Sequence, residues 1–141
     1  MTESGRYRWL RAVGLVGAVY FVVGIAFGAL ANLSATGGMR VAWRLAAWLF
    51  SAAAFAAQIA YEHFRLRGRA VTVAWHAALA VALGAFALAV AANIHSLSAG
   101  ASQHRSLLHL ALVVWPAVSA VPAFLVALAA ASVLAWMRRG R

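Results

Sequence analysis

Four stretches of this chain carry no ionised side chain when histidine is counted as neutral: 12–39, 45–61, 70–104 and 106–137. A helix crosses the roughly 30 Å hydrocarbon layer of a bilayer with about 20 apolar residues. The pattern therefore predicts an all-α integral membrane bundle of four transmembrane helices, forming one domain over residues 1–141. The helices are expected at about 9–33, 41–64, 71–94 and 107–136, with ends uncertain by a few residues. Between them lie a polar turn ending in Gly37-Gly38, a short basic connection around Arg65-Leu66-Arg67-Gly68-Arg69, and a Ser/Gly-rich turn over 96–103.

Charge sets the expected orientation. All twelve basic residues are arginine. Arg6, Arg8, Arg11, Arg65, Arg67, Arg69, Arg138, Arg139 and Arg141 fall on one side, against Arg40, Arg44 and Arg105 on the other. The positive-inside rule places the larger group, and both termini, in the cytoplasm. Trp9, Tyr61, Trp75 and Trp136 then mark the inner interface and Trp43 the outer one. Ala29-Leu30-Ala31 offers small residues of the kind signal peptidase cleaves after. The apolar run before it exceeds the 7–15 residues usual for a signal peptide, so the first span is expected to be retained.

Composition narrows the picture further. Two thirds of the residues are hydrophobic, 10% are charged, and the formal net charge is +10. The arginines flank apolar runs and form no soluble basic face, which argues against nucleic acid as a partner. Arginine without lysine, with abundant alanine, fits a GC-rich genome better than selection for phosphate contacts, and the expected location is a bacterial inner membrane. There is no cysteine, which excludes disulfides, thiol redox chemistry and thiolate metal sites.

In lipid, helices associate through close packing of small residues. The first span carries Gly14, Gly17, Gly24 and Gly28, the last two in a G-x-x-x-G, and the third carries Ala77, Ala80, Gly84, Ala87 and Ala91 on one face. These faces are the expected packing surfaces, in the bundle itself or in a homo-oligomer. The fourth run is long and contains Pro116 and Pro122, which withdraw the bonds to the carbonyls of Leu112 and Val118. Ser119 is placed to help satisfy freed backbone groups.

Ionisable residues within a span are expensive and draw functional readings. In the second helix Arg44, Trp48, Ser51, Phe55, Gln58, Glu62 and Arg65 step by three and four, giving an interrupted polar stripe that should face neighbouring helices. Glu62 is the only acidic residue besides Glu3. Its simplest role is a structural ion pair with Arg11, Arg65 or Arg67. The alternative groups Gln58, Glu62 and His76 as a polar cluster binding a proton or cation, histidine being the side chain that ordinarily titrates near physiological pH.

His63 and His76 are nearly symmetric about the inner connection, and His95 and His109 about the outer one. This spacing resembles the general arrangement in transmembrane diheme cytochromes b, and it implies axial ligation of heme b by those four histidines. His104 would serve equally well as a partner for His95.

Known small four-helix membrane proteins fit poorly. Small multidrug exporters use a glutamate buried in the first helix, where this chain has no acid after Glu3. Dual-topology proteins need a weaker charge bias, and quinone-linked thiol oxidases need cysteine. Membrane glutathione transferases use polar clusters that the second helix barely resembles. No nucleophile–base pair indicates an enzyme. The expectation is a non-enzymatic accessory or scaffold bundle in contact with membrane lipids and a protein partner. The alternatives are a small oligomeric proton-coupled carrier using Glu62 and His76, and a heme-binding electron carrier. No resident cofactor or metal is expected on the first two readings.

Overall fold

The computed structural model describes residues 3–66, 68–98 and 105–139, with side chains described for 7–66, 68–95 and 110–138. Four helices follow in order: α1 (Glu3–Leu33), α2 (Gly37–Phe64), α3 (Ala70–Ser98) and α4 (Arg105–Arg139). No strand occurs among the described residues. Each helix is long and apolar enough to cross a membrane. The outer surface is correspondingly apolar, with Leu15, Val22, Leu49, Val113, Val118 and Leu125 all exposed. A surface of this kind suits lipid and would aggregate in water.

The helices extend past the ends expected from the apolar runs, and local chemistry explains why. Thr36 has extended backbone angles and its side chain accepts a hydrogen bond from Met39 N at 3.3 Å. This N-cap recruits Gly37 to Arg40 into the first turn of α2, four residues before the apolar run begins. α1 likewise starts at Glu3 and not at Trp9, because polar residues outside the hydrocarbon still continue a helix. At the other end of α2, Arg65 N bonds Tyr61 O at 2.9 Å and Gly68 N bonds Glu62 O at 3.3 Å. A Cβ at Gly68 would meet Val73 Cγ2 at 3.0 Å, so the connection folds tightly over the start of α3.

α3 is the central helix. Val73, Ala74, Ala77 and Ala80 have no exposure at all. One of its faces packs extensively on α4, where Ala127 and Ala131 are also fully buried, and another packs on α1. α2 packs mainly on α1 and touches α3 and α4 only lightly. The α1–α3 contact is close because small residues interlock. A Cβ on Gly84 would lie 2.6 Å from Tyr20 Cβ and 3.2 Å from Gly17 O, and one on Gly17 would lie 3.3 Å from Ala80 O. One on Gly24 would meet the Leu88 methyls at 2.7 Å. Within the chain Gly28 takes no part in this contact: a Cβ there meets nothing within 4 Å. Gly17, two turns before Gly24, does.

α4 runs unbroken through Pro116 and Pro122. Ser119 Oγ donates to Trp115 O at 2.8 Å, so it does not serve the Leu112 or Val118 carbonyls released by the prolines. That corrects the role expected of it.

Candidate functional site

The site forms at the basic end of the bundle, where the start of α1, the end of α2 and the start of α3 meet. Glu62 is 2% exposed although it is charged in its ordinary state. Both of its carboxylate oxygens are engaged. Gln58 Nε2, one turn earlier on α2, donates to Oε1 at 3.2 Å. His76 Nδ1, from α3, shares a hydrogen bond with Oε2 at 2.6 Å. Trp9 of α1 lies flat on the His76 imidazole, with ring centroids 4.5 Å apart and planes 2° from parallel. Three helices thus converge on one carboxylate.

The structure brings Gln58, Glu62 and His76 together. It replaces the arginine partner first expected for Glu62. No arginine among the described residues makes an ion pair with it, and Arg67 lies outside the described residues. The physical reason is depth and direction. Glu62 points inward from α2 toward α3, whereas Arg11 and Arg65 are exposed on the outer surface, where long guanidinium side chains reach headgroups and water. The imidazole is short enough to sit inside. Trp9 was expected only as an interfacial anchor. Nothing in the sequence fixes how α1 is rotated against α3, so its stacking role was not legible.

Chemically, the pair joins α2 to α3 through a single 2.6 Å hydrogen bond, whose donor depends on the imidazole tautomer. The carboxylate is closed off, while the His76 side chain keeps 15% exposure.

The stripe on α2 divides at Phe55. Its basic half, Gln58 and Glu62, is buried. Its other half is not: Trp48 is 77% exposed. There α2 and α4 flank a cavity of about 610 Å³. It is walled by Trp48, Ser51 and Phe55 of α2, Tyr20 of α1, Gly84 and Leu88 of α3, and Trp115, Ser119 and Pro122 of α4. The lining is almost wholly apolar, so the stripe is not a polar pathway through the bundle.

At the inner histidine pair, His63 and His76, the geometry does not fit heme. His76 has Nδ1 committed to Glu62 and one ring face covered by Trp9. His63 is buried edge-on against Phe64, with neither ring nitrogen hydrogen-bonded. Neither histidine lines the 610 Å³ cavity, where a macrocycle would need room. His95 is exposed at the far end of α3. The side chain of His109, and His104 altogether, lie outside the described residues. No group of three or more His, Cys, Asp or Glu able to hold a metal occurs among the described residues.

Fold and site together define a polytopic membrane bundle with one internally satisfied carboxylate. No protein-family description, curated protein or solved structure matches the chain.

Proposed function

We propose that the chain is a non-enzymatic accessory or scaffold bundle of a bacterial inner membrane, in which the Gln58–Glu62–His76–Trp9 cluster pins three helices together. The observation that supports this is the complete internal use of Glu62: both oxygens are bonded within the chain and the group is 2% exposed. A buried pair that joins helices specifies their register.

A proton-coupled carrier is the second reading, supported by the partial opening of His76. Reconstituted liposomes separate the two. The scaffold reading predicts that wild-type protein dissipates an imposed pH gradient no faster than empty vesicles, and that Glu62→Gln changes thermal stability only. Gradient-driven flux that Glu62→Gln abolishes while the protein stays folded would establish the carrier instead.

The proposed topology has both termini and the α2–α3 connection in the cytoplasm. Because the chain is free of cysteine, single cysteines report side without background. Gly37→Cys should react with a membrane-impermeant maleimide in intact cells, and Leu66→Cys only after permeabilisation. Labelling of Leu66→Cys in intact cells would reverse the orientation.

A further inference from the structure

A second cavity, of about 500 Å³, lies between α1 and α2, with no residue of α3 or α4 in its lining. Its lining is ordered by depth. On α1, Arg8 and Arg11 sit at the basic end, and Leu15 and Val16 follow one to two turns further into the bilayer. On α2, Tyr61 is level with the arginines and Gln58 lies a turn deeper. Cations and a phenol at the surface, an amide beneath them and aliphatic groups beyond reproduce the polarity profile of a phospholipid from headgroup through ester to acyl chain.

Charge decides the headgroup. Among the described residues neither Arg8 nor Arg11 has a carboxylate partner, and no acid lines the cavity. Glu62, beside Tyr61 in sequence, is turned inward and committed to His76. The groove therefore presents two uncompensated guanidiniums, three residues apart on one helical face. Guanidinium forks match the oxygens of a phosphodiester. The volume falls in the range of about 300–1,000 Å³ usual for ligand sites.

We propose that this α1–α2 groove is a binding site for one anionic glycerophospholipid. Its phosphodiester sits between Arg8 and Arg11, its ester region faces Tyr61, and an acyl chain lies along Leu15 and Val16. A zwitterionic lipid of the same chains fits the groove but carries a cationic group that the arginines repel. A headgroup without chains loses the aliphatic half of the site.

Native mass spectrometry of the detergent-solubilised full chain tests this, with palmitoyl-oleoyl phosphatidylglycerol, the matching phosphatidylcholine, and glycerol 3-phosphate as probes. Wild-type protein should retain one phosphatidylglycerol in preference to phosphatidylcholine and retain no glycerol 3-phosphate. The double variant Arg8→Gln, Arg11→Gln should lose about 30-fold of that preference, at about tenfold per 1.4 kcal/mol and two surface arginines. Leu15→Trp, at an exposed position, fills the groove and should lower retention of both lipids. Arg138→Gln, at the same end of the bundle but outside the groove, should leave the preference unchanged. Retention of the preference by the arginine double variant overturns the proposal. So does an equal loss in Arg138→Gln, which would assign the effect to diffuse surface charge.

Discussion

Replacing His76 with alanine is expected to lower the unfolding free energy of the bundle by about 3–5 kcal/mol, the cost of leaving a buried carboxyl group without its partner. The size of the effect comes from what remains. Glu62 is 2% exposed, so without the imidazole it is left in a low-dielectric interior with only the Gln58 amide as donor. Trp9 loses its stacking partner in the same substitution. Glu62→Gln is expected to cost much less, about 1 kcal/mol, because a neutral amide loses one hydrogen bond and leaves no buried charge. Thermal unfolding in a mild detergent gives the order directly. If His76→Ala is no more destabilising than Glu62→Gln, the carboxylate is not held by the imidazole.

The second large effect is expected at the α1–α3 contact. Gly84→Ala adds a methyl group 2.6 Å from Tyr20 Cβ, an atom close to the backbone that moves only if α1 moves. Overpacking of this kind costs about 1–3 kcal/mol. Gly24→Ala should cost less, since its added carbon meets the Leu88 methyls at the far end of a flexible side chain. Gly28→Ala meets nothing and should stabilise α1 by about 0.5–1 kcal/mol through helix propensity. The three variants share one chemistry and differ only in place. A flat series across them would show that α1 and α3 do not approach as described.

How much of this was legible in the sequence depends on the range of the interaction concerned. The four spans follow from runs of apolar residues, a signal each helix carries by itself. The true start of α2 was missed because the eye follows the apolar run to Val41, while Thr36 caps the helix at Gly37. The grouping of Gln58, Glu62 and His76 could be reached from depth, since all three lie within two turns of the α2–α3 connection. The choice of histidine over arginine as partner could not be. It depends on Glu62 facing α3, which periodicity alone leaves open. The same limit explains the glycines. Gly24 and Gly28 form the recognisable motif, but rotation of α1 sets Gly17 against Ala80 and Gly84 and leaves Gly28 facing open space. The symmetric spacing of His63 and His76 likewise measures depth and not direction. One turns toward Trp9 and Glu62, the other toward Phe64.

The α2 stripe shows a subtler gap. Its period is helical along its whole length, yet only its basic half is covered. Packing of α2 against α4 is light, so Trp48 remains open beside the 610 Å³ cavity. Amphipathic patterning says which face turns inward, not how closely the neighbouring helix approaches.

The central claim is that Glu62 and His76 act as one unit holding α2 to α3. A double-mutant cycle of Glu62→Gln and His76→Ala, read by thermal unfolding in detergent, tests it most directly. If the pair is coupled, His76→Ala costs about 2 kcal/mol less in the Glu62→Gln background than in the wild type, and that difference is the interaction energy. Additive effects of the two substitutions would contradict the account.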